Sequence, residues 1–197
     1  MKKGTFVLVL GLVLFLTCPF QAFGGAPMDS IQKEVNALLK VLGDPAYQVE
    51  SAKAEKEKKI WAIADNIFNY YELSRRTLGR DWKKLNPDQQ KEFVDLFSKF
   101  LANVYMGRIL EYTNEKVNFT KETMLSETRA EVQSQIVTSS KTIPIYYRMI
   151  FKDGRWEVYD VIIEGVSMVR NYRSQFRQML NKESPEALLK TLREKTK

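Results

Sequence analysis

The sequence predicts an α+β fold in which N-terminal helices pack on a C-terminal antiparallel sheet. Three observations carry this. Apolar residues recur at helical spacing through roughly the first 110 positions. From about residue 116 to 163 they alternate with polar ones, the period of a half-buried strand. From Val166 onward the helical period returns. Helices, then strands, then a closing helix is an α+β order rather than an alternating α/β one.

The first 24 residues are expected to lie outside that fold as a signal peptide. Lys2 and Lys3 form a basic start, residues 6–16 are apolar and too short to span a bilayer, and Ala22-Phe23-Gly24 offers small residues for cleavage. Cys18 follows Thr17, where a lipidation signal places a smaller residue, so cleavage is expected over lipid attachment. The domain is then residues 25–197, with no cysteine, and it must rely on its own core.

Each element follows in order. Ile31, Val35, Leu38, Leu39 and Leu42 predict a first helix, with Asp29 and Gln32 at capping-box spacing and Gly43-Asp44-Pro45 as its stop. The charged stretch 50–59 opens a second, with Ile60, Trp61, Ala64, Ile67, Phe68 and Tyr71 on its apolar side. A short helix through Leu73 and Leu78 ends at Gly79. Asn86-Pro87 starts the longest helix, whose broad face (Phe93, Leu96, Phe97, Phe100, Leu101, Val104, Tyr105, Ile109) is expected to pack on the sheet and in part to line a cavity. Strands are expected at 116–119, 129–138, 143–151 and 156–163, with Asp153-Gly154 as the hairpin turn before the last. Gly165 is expected as a bulge or hinge. A helix then carries Val169, Tyr172, Phe176, Met179 and Leu180 on one stripe and Arg170, Arg173 and Arg177 on another. Ser184-Pro185-Glu186 starts a terminal helix.

Composition narrows the chemistry. The chain has no histidine and one cysteine, inside the leader. Ser-His-Asp triads, cysteine nucleophiles and zinc sites are therefore excluded from the mature domain. Carboxylates remain, and Asp160 with Glu164 is the pair to weigh as acid and base. A salt bridge, or caps on the helix carrying Arg170, is the structural alternative. The net charge of +7 falls to +5 when Lys2 and Lys3 leave with the leader. An exported basic protein meets anionic lipid or an acidic partner, not nucleic acid.

The segments "YDVIIEGVSMVRNYRSQF", "LGRDWKKLNPDQQKEFVDLF", "IPIYYRM" and "WEVYD" carry a resemblance to the MlaC family, over residues 31–192. The Glu-Gly-Val-Ser…Asn-Tyr-Arg…Phe stretch is its specific part. The resemblance implies a periplasmic phospholipid carrier of the pathway that maintains outer-membrane lipid asymmetry, also called the toluene-tolerance family. It implies an apolar lipid pocket between sheet and helices, no enzymatic activity, and no cofactor besides the lipid cargo. The implied partners are an inner-membrane MCE-domain protein of an ABC transporter and an outer-membrane lipoprotein–porin complex.

For that pocket the inward apolar residues are Leu96, Phe100, Val104, Tyr105, Tyr147, Met149, Val161, Ile163, Val166, Val169, Tyr172 and Phe176. Arg148, Arg170 and Arg173 are the candidates for headgroup or partner contact. Two other readings compete: a ligand-free periplasmic adaptor whose apolar stripes are all core, and an enzyme on a similar cone-shaped fold using Asp160 or Glu164.

Overall fold

The computed structural model describes residues 26–112 and 115–197; the expected signal peptide and Cys18 lie outside them. Six α-helices and a five-stranded sheet account for most of the described chain. Helix α1 (Pro27–Gly43) and α2 (Lys53–Ile67) form an antiparallel pair joined by two short 3₁₀ turns. Helix α3 (Tyr70–Leu78) passes through a 3₁₀ turn, Gly79–Lys84, into the 24-residue α4 (Pro87–Leu110). Strands β1 (Lys116–Ser126), β2 (Arg129–Val137), β3 (Thr142–Lys152), β4 (Arg155–Ile163) and β5 (Val166–Ser167) pair in sequence order as an antiparallel meander. Helices α5 (Met168–Leu180) and α6 (Pro185–Lys195) close the chain.

Several local expectations hold for the physical reasons given. Asn86 and Gln89 make the reciprocal capping box that starts α4. Asp153 and Gly154 both take positive φ, as the two-residue turn between β3 and β4 requires. Others are corrected. Helix α1 starts two residues before Asp29, at Pro27, whose fixed φ suits a first helical position. Its cap comes from far along the chain: Glu122 of β1 accepts the Met28 N–H at 2.7 Å. Strand β1 runs well past 119, because bulges at Phe119/Lys121 and Met124/Ser126 break the alternation that marks a strand in sequence. Glu164 and Gly165, with φ of 49° and 82°, form a tight turn that pairs β4 with β5, not a bulge or hinge. The broad face of α4 packs on α3, α5 and α6 instead of the sheet.

Two hydrophobic clusters result. One lies among helices α3 to α6 and the segment that joins α3 to α4, with Phe93 and Phe97 fully buried at its centre. Phe97 meets Tyr172 and Phe176 edge-to-face at 5.3 Å each, and Phe100 meets Tyr172 at 5.6 Å. The other lies between the inner face of the sheet and α1 and α2, around Ile31, Val132, Met149 and Val158. Phe68 and Met168 pack against both.

Candidate functional site

The register sorts the inner face of the sheet into cross-strand rows. One row is Met124, Ala130, Met149 and Val158; the next holds Val132, Tyr147 and Val161. Then come Phe119, Ser134, Ile145 and Ile163, and finally Val117, Ile136 and Ile143. Cover is uneven along these rows. Ala130, Val132, Met149 and Val158 are at most 1% exposed. Phe119, Ile145, Ile163, Val117, Ile136 and Ile143 are only half-buried. The inner face is thus mostly apolar, with Ser134 and the Glu122 carboxylate also in its rows; it is packed around Met149 and Val158 and only half-buried toward Ile145 and Ile163, while Met124 at the β1 edge is 49% exposed. Tyr147 marks the transition. Its hydroxyl is pushed above the ordinary tyrosine range by burial, opposed by the neighbouring Ser134 hydroxyl.

Four expected pocket residues belong to the closed helical cluster: Leu96, Val169, Tyr172 and Phe176 are all buried there. Phe100 and Tyr105 are half-buried at its margin. The Tyr172 hydroxyl bonds Tyr105 and is held above the usual range, first by burial and then by Tyr105. Met149 and Val161 lie in the packed rows of the sheet face, while Tyr147 and Ile163 border the open rows. Val104 and Val166 are exposed, at 40% and 61%. Sequence reasoning missed Leu39 and Ile63, half-buried on the helices that face the sheet, and Met168 at the seam of the clusters. Nothing in a helical stripe separates a residue that finishes a core from one that lines an opening.

The charged candidates divide as clearly. Arg148 lies on the opposite sheet face, between Glu131 at 3.3 Å and Asp160 at 3.8 Å. Arg173 donates from Nε and Nη2 to the Arg76 carbonyl, at 3.0 and 2.5 Å, near the end of α3. Arg170 is exposed on α5. Asp160 is 3% exposed, and its oxygens accept from Ser167 Oγ at 2.7 Å and Val169 N at 3.0 Å, capping α5. Glu164 stands exposed at the β4–β5 turn. Both structural alternatives for Asp160, the arginine pair and the helix cap, are therefore met at once. Its carboxylate does not face the apolar rows. Among the described residues no cluster of three or more His, Cys, Asp or Glu could hold a metal ion.

Helices packed on a five-stranded antiparallel meander define the class: an α+β protein with an apolar inner sheet face. The sequence profile of the MlaC protein family matches residues 32–194, and the chain belongs to the MlaC family. It is 22% identical over 197 aligned residues to the intermembrane phospholipid transport system binding protein MlaC of Haemophilus influenzae, covering 96% of this chain and 91% of that one. It is 25% identical over 192 residues to the toluene tolerance protein ttg2D of Pseudomonas putida, covering 89% and 80%. A solved phospholipid-binding protein of Ralstonia solanacearum, in complex with a phospholipid, superposes with a TM-score of 0.75 at 21% identity, over 87% of this chain and 97% of that one. That likeness gives the same fold.

Proposed function

We propose that the chain is a phospholipid carrier that holds acyl chains against the open rows of the inner sheet face. The single observation behind this reading is that incompletely covered apolar surface, bordered by Phe119, Ile145, Tyr147 and Ile163. A domain with no ligand gains by covering such a face, as its other end does with Met149 and Val158. The names of its relatives agree with the reading.

The energetics suit shuttling. Two acyl chains hold about 30 methylenes at about 0.8 kcal/mol each, so about 25 kcal/mol opposes release into water. Against a bilayer the same transfer is nearly neutral, because both environments are hydrocarbon. Lipid then passes in either direction according to the partner presented. Those partners are an inner-membrane MCE-domain protein of an ABC transporter and an outer-membrane lipoprotein–porin complex, met in the periplasm after loss of residues 1–24. Arg170 is the candidate for phosphate or partner contact, since Arg148 and Arg173 are bonded within the fold. The role is carriage, not catalysis: the Asp160 carboxylate is taken up by its cap.

Native mass spectrometry of protein purified without detergent, followed by lipid extraction, tests this. One phospholipid per chain is the expected result. Protein that is empty and takes up no lipid from liposomes would return the adaptor reading.

A further inference from the structure

Among the six α-helices of the described residues, α5 alone has no aspartate or glutamate. Its sequence, MVRNYRSQFRQML, carries Arg170, Arg173 and Arg177, whereas every other helix carries at least one acid. The buried stripe of Val169, Tyr172, Phe176 and Leu180 fixes which side of α5 faces the core. Arg170 and Arg177 are left exposed on the other side. They lie seven residues apart, close to two turns, so they share one face about 10 Å apart along the axis.

The end of α3 extends this basic surface. Arg173 reaches across to the Arg76 carbonyl, and its Nε lies 3.6 Å from the point where a Cβ on Gly79 would stand. The next residue, Arg80, is exposed in the 3₁₀ turn that packs beside α5. The nearby carboxylates are already matched. Glu72 pairs with Arg75 and Arg76 at 2.9 Å each, and Asp81 with Lys84 at 2.8 Å. Among the described residues, Arg80, Arg170, Arg173 and Arg177 have no carboxylate partner. Glu164, before the helix, and Glu183, after it, pair with none of them. Donation to a carbonyl occupies the hydrogen bonds of Arg173 and leaves its charge uncompensated.

Guanidinium forks match phosphate and carboxylate alike, so the surroundings decide between them. A stable protein interface has a dry, apolar centre inside a polar rim. Neither α5 nor the Gly79–Lys84 turn exposes a large apolar side chain; the nearest in sequence, Val166, precedes the helix at its sheet end. The residues exposed between the arginines are Asn171, Ser174 and Gln175. Such a face offers no dry centre to a protein partner. A layer of anionic headgroups requires none, because it is wet and charged throughout.

We propose that the arginine face of α5, with Arg80 beside it, seats on the anionic phospholipid surface of a membrane. The attraction falls off within a Debye length of about 8 Å at physiological salt, so the contact is reversible. It does not depend on what the interior carries.

The test sediments the purified protein with vesicles of phosphatidylcholine alone or of equal parts phosphatidylcholine and phosphatidylglycerol, with soluble polyglutamate as a third probe. The protein is expected to sediment with the anionic vesicles, to ignore the neutral ones, and to be released by about 1 M salt. Arg170→Gln and Arg177→Gln should weaken vesicle binding about fivefold each, and about twenty-five-fold together. Lys40→Gln with Lys58→Gln removes the same charge from exposed positions on α1 and α2 and should weaken it less than about twofold. All four side chains are exposed and unbonded, so the thermal melts are expected to stay unchanged. Equal binding to both vesicles, no binding to the anionic ones, or equal losses from the two pairs would overturn the proposal. So would binding to polyglutamate without binding to the anionic vesicles, which would point to an acidic protein instead. Sedimentation counts bound protein and is blind to lipid in the interior, so its failure leaves the carrier reading standing.

Discussion

The two hydrophobic clusters are built from similar residues and finished differently. The helical one is closed: Phe93, Phe97, Leu188, Leu189 and Leu192 are at most 1% exposed, and aromatic rings interlock across α4 and α5. The sheet cluster is closed around Met149 and Val158 and left half-covered around Ile145 and Ile163. On the proposed carrier function, the difference separates stability from cargo binding. A core gains from every square ångström it removes from water, whereas a carrier must leave apolar surface for its cargo to cover.

Variants can break that contrast. Phe97→Ala removes the ring at the centre of the helical cluster and should cost about 3–5 kcal/mol in urea unfolding, since α4 and α5 cannot collapse into the gap. Asp160→Ala strands the Val169 N–H and Ser167 hydroxyl at the start of α5 and should cost about 1–3 kcal/mol by the same measurement. Ile145→Glu, by contrast, should cost less than Phe97→Ala, since the position is half-buried, yet abolish co-purified lipid. If it unfolds the protein as Phe97→Ala does, the open rows are core and the contrast fails.

The smallest effect is electrostatic. Glu72 is pushed up by burial, but the Arg75 and Arg76 guanidiniums outweigh this and hold it below the ordinary carboxylate range. A depressed folded pKa gives stability that is present above the unfolded value and lost as pH falls through the folded one. Acidification from neutral pH should therefore destabilise the native protein slightly more than Glu72→Gln, when denaturation midpoints are compared at both pH values.

Much of this was legible in the sequence, and the gaps have physical causes. Helix starts at Asn86 and Ser184 and the Asp153-Gly154 turn are local chemistry, so local residues announced them. The inward set Ile145, Tyr147 and Met149 followed from strict alternation along β3. Strand β4 is different. Trp156 and Val158 face inward, but Asp160 faces out and Val161 and Ile163 face in, because an extra residue, Tyr159, bulges opposite the Arg148–Met149 step. No glycine marks that bulge; its side chain is held by Arg76, whose guanidinium lies 4.1 Å from the Tyr159 ring centre. Long-range helix packing was likewise invisible: the stripe of α4 says that it is buried, not that α5 and α6 cover it.

The helix starts that land on the sheet have a consequence for how the molecule comes apart. Glu122 caps α1, Glu157 holds the Asn69 side chain that caps α3, and Asp160 caps α5. Glu157 and Asp160 are 6% and 3% exposed. Separating the helices from the sheet would take from Glu122, Glu157 and Asp160 the Met28 N–H, the Asn69 amide and the Val169 N–H that they accept, and would leave those three donors at the helix starts without their acceptors. Each half would lose bonds that the other supplies. A protein with two separate clusters should therefore melt in a single cooperative transition.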